Sequence, residues 1–271
     1  MAVSKIYGVT AVQLYDPTEQ ESNWKSSSDF GLLVSGTEEY KTAARDMPMT
    51  AIKGRNGVLL QPGVSRWAPV ELTMRFGFRA DAAHFTEQNP NVQELFERVT
   101  EWLLGADAWR RLVVYTRGST PTYYRNAICL GPIEWERRKR DFFADVTFLC
   151  QPERYLFAGQ EFIRCNDRSY VVNRTPYTAR PRIKIYGTGQ ILFASKNLYA
   201  ITVADSYTGE YILLDCEQRT ITNDQGGSAD AYITYDSIGS WPEMAGGYGA
   251  MIIFQSDTIT RVDVAPNYYE V

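Results

Sequence analysis

Apolar and polar positions alternate along most of this chain, and the period is two rather than three and a half. The clearest run is Val70-Glu71-Leu72-Thr73-Met74-Arg75-Phe76-Gly77-Phe78-Arg79, which predicts a long strand with one wet face. Residues 3–15 alternate enough for a first strand. Gly54-Arg55-Asn56-Gly57 predicts a tight turn flanked by strands, because Asn-Gly accepts the positive φ values of a type I′ turn. Further strands are predicted at 109–116, 123–130, 133–137 and 142–150, and 151–155 closes that series. In the last strand Phe142, Ala144, Val146, Phe148 and Cys150 share one face.

Only one stretch has a helical period. Val92, Leu95, Phe96, Val99, Trp102 and Leu103 form an apolar stripe, with Asn89 as N-cap, Pro90 at the first position and Gly105 as terminator. The expected helix covers about 90–104. Two segments resist the pattern. Residues 17–29 are polar and Ser-rich, and read as a loop or exposed arm. Residues 37–50 are charged and weakly periodic, and extend that arm to about 17–50. Between them 30–34 is a short apolar run bounded by Gly31 and Gly36.

The texture changes near 155–165. From 160 onward short strands recur between turn residues, for example at 182–186, 190–194, 199–203, 211–216, 251–255 and 261–264. That spacing predicts a β-sandwich. The expected division is 1–158 and 159–271. The fold class is therefore mostly β, with an α+β first domain containing one helix and a sandwich second.

Composition agrees with sheets, since the chain carries 18 Tyr, 12 Phe and 6 Trp, residue types that suit pleated surfaces and recur at interfaces. Charge argues against a nucleic-acid grip. The formal net charge is −4; residues 1–155 balance 19 basic against 19 acidic groups, and 156–271 carry 9 against 13. The run Arg137-Arg138-Lys139-Arg140 is flanked by Glu134, Glu136 and Asp141 and reads as a solvated hairpin end. The start MAVSKIYGV lacks the apolar core of a secretion signal, and no stretch approaches the ~18 apolar residues of a membrane span. The expectation is a chain made in a reducing cytoplasm, with Cys129, Cys150, Cys165 and Cys216 as buried thiols.

Candidate chemistry is sparse. His84 is the single histidine and has no second one to share a metal or relay, and no Cys-x-x-Cys exists. Cys150 falls on an apolar strand face, which suits a core thiol better than a nucleophile. Asp215 and Glu217 lie on one side of a strand; they could be a glycosidase pair or merely surface or turn-linking charges, and the second is the better reading. Gly187-Thr188-Gly189 joins strand to strand, whereas a dinucleotide loop must open a helix. No catalytic residue, metal or cofactor is expected.

Several segments in order resemble the phage distal tail protein (Dit) family of long non-contractile tails. They are the Ile52–Gly57 turn; Phe148-Leu149-Cys150-Gln151-Pro152-Glu153-Arg154-Tyr155, like the family's f-x-C-x-P-x-x-Y junction; and Arg180-Pro181-Arg182-Ile183-Lys184-Ile185-Tyr186-Gly187-Thr188-Gly189, like P-x-i-x-i-x-G-x-G. Tyr211-Ile212-Leu213-Leu214-Asp215-Cys216-Glu217 is similar to an i-D-x-E strand, and Val264-Ala265-Pro266-Asn267-Tyr268-Tyr269 to an i-x-P-x-[WY] finish. Trp241 to Gly249 resembles a P-x-l-x-x-G-x-N turn, with Tyr248 or Gly249 where the family often has Asn. The resemblance spans roughly 50–271.

It implies a galectin-like second domain and a non-enzymatic tail-tip protein of the virion. It further implies a hexameric homo-oligomeric ring between the tail tube protein and a tail-associated or tip protein, with receptor-binding proteins attached and a lumen that passes DNA without specific binding. Ring formation needs two complementary patches per subunit. The arm offers one, with Trp24, Phe30 and Tyr40 as aromatic anchors and Arg55 and Asn56 at the turn as further candidates; a plain loop is the competing reading. The rival functions are a carbohydrate-binding module, using Tyr199, Tyr207, Tyr211 and Trp241 to stack on sugar, and a cell-wall glycosidase.

Overall fold

The computed structural model describes residues 9–16, 24–36, 41–54, 56–60, 66–79, 91–116, 120–235 and 241–271. The chain divides into two compact units, 1–154 with Val271, and 155–270.

The first unit is built on an antiparallel sheet. Its strands run in the order Lys25–Ser26, Val9–Tyr15, Arg110–Thr116, Tyr123–Leu130, Asp141–Leu156, Val70–Arg79 and Leu33–Ser35. Leu33–Ser35 also approaches Val9–Tyr15, so the sheet curls toward closure. The pairing of Val70–Arg79 with Asp141–Leu156 is the longest, running from Cys150 opposite Val70 to Asp141 opposite Arg79. Because side chains alternate faces, Leu72, Met74 and Phe76 meet Phe148, Val146 and Ala144 across this ladder on the buried side. On the other side Thr73 and Thr147 share a hydroxyl hydrogen bond at 3.0 Å, and Arg75 Nε lies 3.4 Å from Asp145 Oδ1. Gly77 stands opposite Phe143, whose ring would meet an added Cβ at 2.8 Å.

The helix covers Val92–Leu104 and buries Leu95, Val99, Trp102 and Leu103. Its cap is Asn91, whose Oδ1 accepts the Glu94 N–H at 2.8 Å, and not Asn89 as the pattern suggested. Asn91 is extended and its carboxamide supplies the first-turn acceptor, so the helix starts two residues later than expected. The far end of the helix has no basic residue of its own. Instead Arg110, from the next strand, donates to the Trp102 and Leu103 carbonyls, both at 2.6 Å. Phe78, Phe96, Trp135 and Phe142 pack ring against ring beside the helix. This explains why the strand expected at 133–137 is only Glu136–Arg138: Ile133 and Trp135 turn into the core. The basic run closes that hairpin as expected, with Lys139 at φ 60° in the turn and Arg138 paired to Glu136 at 3.0 Å.

The second unit is a sandwich of two five-stranded antiparallel sheets. One has the order Ile163–Cys165, Ile259–Ala265, Arg182–Gly187, Ile212–Asp215, Thr220–Asn223; the other Tyr170–Val172, Ala250–Gln255, Gly189–Ala194, Leu198–Val203, Ile233–Tyr235. Ile183, Ile185, Leu214 and Val262 from the first share one core with Ile191, Phe193, Ile201 and Ile253 from the second. No helix of the chain's described residues is long and apolar enough to cross a membrane.

Candidate assembly surfaces

Asp215 does not converge with Glu217 on a substrate. Its Oδ1 accepts the Glu217 and Gln218 N–H groups at 3.0 and 2.9 Å, closing the turn between two strands, while Glu217 lies 3.5 Å from Arg180. The thiols are buried and held protonated: burial pushes Cys150 up to about 12, Cys129 and Cys165 up to about 11, and Cys216 well above its ordinary value. A thiol with so raised a pKa is a poor nucleophile at neutral pH. Among the described residues no group of three or more His, Cys, Asp or Glu is placed to hold a metal. His84 lies outside the described residues. Of the rings proposed to stack on sugar, Tyr199 and Tyr207 are buried in the sandwich core, and Tyr211 and Trp241 are half-buried. Core packing accounts for Tyr199 and Tyr207, which have little ring face left for a sugar.

What remains is surface, and its most unusual part lies in the first unit. Arg45–Asp46 pairs with Arg66–Trp67, and Met49–Ala51 pairs with Val58–Leu60, so the described residues of this stretch (45–54, 56–60 and 66–67) form a two-stranded ribbon around the Gly54–Gly57 turn. Both of those glycines have positive φ, 83° and 87°, as the turn requires. Along the ribbon the described side chains are nearly all exposed, including Met49 at 61% and Ile52 at 41%. Its own supports are modest: Asp46 and Arg66 pair at 2.8 Å, and the Arg45 guanidinium lies 5.0 Å over Trp67. A lone hairpin is marginal in water, because two strands cannot bury a face.

The root of the ribbon, by contrast, is firmly held. Ala68 N–H donates to the Ala44 carbonyl at 2.8 Å, Ala43 is buried, and Lys41 Nζ donates to the Glu71 carbonyl at 2.8 Å. Beneath it sits Arg125, only 2% exposed, which donates to the carbonyls of Lys41 at 2.8 Å, Pro152 at 3.2 Å and Gln151 at 3.4 Å. Burial lowers its pKa, yet a guanidinium stays charged inside proteins.

The expected arm at about 17–50 is thus corrected. Lys25–Ser26 and Leu33–Ser35 are strands of the sheet, and Ser27–Phe30 is a 3-10 turn capped by Ser26 and Asp29. Ser27, Phe30, Leu32 and Val34 are buried there, which ties this segment down. Phe30 stacks on Trp102 at 5.0 Å and is a core residue, so its ring cannot anchor a neighbour. Trp24 stacks on Tyr15 at 3.9 Å, at the border of an open cleft of about 560 Å³ lined by Tyr15, Lys25, Arg98, Glu101 and Trp102. Asn56 is exposed at the ribbon tip; Tyr40 and Arg55 lie outside the described residues.

No protein-family model and no curated protein matches the chain. Among solved structures it is similar to the Dit protein of phage SPP1, with a TM-score of 0.64 at 14% identity, over 96% of this chain and 99% of that one. The fold is a phage Dit fold. At this identity the likeness is one of architecture. That structure is described as a paradigm of the hub adsorption apparatus in phages infecting Gram-positive bacteria. A chain of the phage p2 baseplate in its activated conformation with strontium is similar at a TM-score of 0.51 and 9% identity, over 92% of this chain and 99% of that one.

Within this Dit fold, sequence reasoning found the turn of the ribbon but misplaced the arm by some twenty residues, and it missed Arg125. The signal was present: Arg125 shares its strand face with Ala127 and Cys129, both buried, so an arginine stands at an inward position.

Proposed function

We propose that this chain is a structural, non-enzymatic hub protein of a phage tail tip. Six copies close into a ring between the tail tube and the tip proteins, and the ring leaves a channel for DNA. The observation that carries this reading is the ribbon at 45–67, an exposed hairpin with apolar Met49 and Ile52 on a rigid root. Such an element gains its stability from a neighbour's surface, and a head-to-tail contact repeated by rotation makes a ring. The Dit fold supports the same role, and the balanced charge of residues 1–155 suits a lumen that must not grip phosphates. In this reading the protein resides in the virion, after synthesis in the host cytoplasm.

The test is co-expression with the neighbouring tail proteins, followed by light scattering and electron microscopy. Rings are expected from the intact chain and not from one in which 48–64 are replaced by a short Gly-Ser turn. Rings from the shortened chain, or only monomers from the intact chain under all these conditions, would overturn the proposal.

A further inference from the structure

The two sheets of the sandwich present very different outer faces. On the first, Arg182, Lys184 and Arg261 project beside aromatic rings; Lys184 Nζ lies 4.7 Å over Phe162 and 4.3 Å over Tyr211. That is the ordinary wet face of a sandwich sheet. The second sheet has no charged residue in any of its five strands. Its inward positions, such as Phe193, Ile201 and Ile253, fill the core; its outward positions are uncharged, apolar toward one end and polar at the other, where Gln190, Thr202 and Thr234 pair in a row.

The strand register assembles those outward positions into rows. Tyr170 pairs with Ile252, Ile252 with Ala194, and Ala194 with Leu198. One row over, Phe254 pairs with Leu192 and Leu192 with Ala200. In these rows Tyr170 is 70% exposed, Leu198 59%, Ile252 38% and Phe254 37%. Charges stand in turns at the rim: Arg168 and Asp167, whose Oδ1 accepts the Gln255 N–H at 3.1 Å, and Lys196. Contiguous apolar surface of this kind marks a contact that removes it from water.

We infer that this face is a pairing surface for a second copy of this chain, met face to face across a two-fold axis. An uncharged face meets its own image without like-charge repulsion, which the Arg182, Lys184 and Arg261 face could not do. Its relief is self-complementary in kind, because Ala194 and Ala200 leave gaps between Ile252, Leu198 and Leu192 that side chains of a facing sheet can enter at the usual ~10 Å separation. Four strands and two side-chain rows span roughly 19 by 14 Å, or about 260 Å² per copy, a third of the ~800 Å² of a standard interface. The pair is therefore weak between free chains and strengthened where many copies are held together.

The experiment is sedimentation equilibrium of the full chain from about 10 μM to about 1 mM, a range chosen for weak association. It is repeated on the chain with the shortened ribbon, so that loss of rings and loss of pairs are read separately. A concentration-dependent dimer is expected in the shortened chain. Ile252→Lys and Leu198→Lys, at exposed positions and checked for unchanged thermal melting, should each weaken it by about thirtyfold or more, since every pair would bury two new charges. Lys184→Ala on the opposite face should leave it unchanged. A shortened chain that stays monomeric at the top concentration overturns the inference, as does pairing that both lysine substitutions leave intact, or a face that takes up only a different tail protein.

Discussion

Arg125 offers the sharpest test of how the ribbon is rooted. Replacing it with Ala removes a charged donor from three backbone carbonyls, those of Lys41, Gln151 and Pro152. A hydrogen bond from a charged group contributes about 1.5–3 kcal/mol, and the 2.8 Å bond to Lys41 earns the full value while those to Pro152 and Gln151 are longer and weaker. Set against these is the cost of burying the guanidinium, which also lowers its pKa and which Ala no longer incurs. The net loss expected is about 3 kcal/mol, in line with removing one partner of a buried charged cluster. For a unit of about this size that corresponds to roughly 6–12 °C in Tm. Differential scanning calorimetry is the assay, because the two units should give separable transitions and only the first should move. Arg125→Met, which keeps most of the volume and none of the donors, should lose nearly as much. If Arg125→Ala costs less than about 1 kcal/mol, or if both transitions fall together, the rooting argument is wrong.

Three further outcomes follow from the geometry. Gly77→Ala places a Cβ 2.8 Å from the Phe143 ring and should destabilise the first unit by about 1–3 kcal/mol, which urea titration would show; an unchanged midpoint would mean the ring moves aside freely. The thiols raised to about 11 and about 12 keep their protons in the fold but lose them when unfolded, so stability is full below about pH 9 and falls as pH climbs toward 12, by up to ~1.4 kcal/mol per pH unit for each thiol. A flat denaturation midpoint from pH 8.5 to 10.5 would contradict that. Asp215→Ala should cost about 1–2 kcal/mol through two lost turn bonds, and neither this variant nor the native chain should release reducing sugar from bacterial cell walls.

The strands were legible wherever one face met water and the other the core. Val70–Arg79 and Tyr123–Leu130 were read from the sequence with the bounds found in the structure, because alternation marks such strands at both ends. The helix was legible from its stripe, and its start was misplaced because Asn89 and Asn91 are equally good caps in sequence. The arm was the main error. Ser26-Ser27-Ser28 looks like loop, yet Ser27 is buried and its hydroxyl accepts the Val12 N–H at 3.2 Å, a long-range bond that no local pattern announces. The turn of the ribbon and its flanking strands were announced by Asn-Gly, but their extent was not, because exposed strands such as Met49–Ala51 show no alternation. The uncharged sheet of the sandwich was legible in composition, but its outward apolar rows become visible only once register places them side by side.

The arginine that closes the helix has one more consequence. Histidine or lysine at a helix end releases its grip as acidity changes, since each can shed a proton; a guanidinium does not. The fork of Arg110 on the Trp102 and Leu103 carbonyls is therefore indifferent to acid and mild alkali alike. Rising pH will loosen this molecule through its thiols, and the union of helix and neighbouring strand should be among the last local structures to let go.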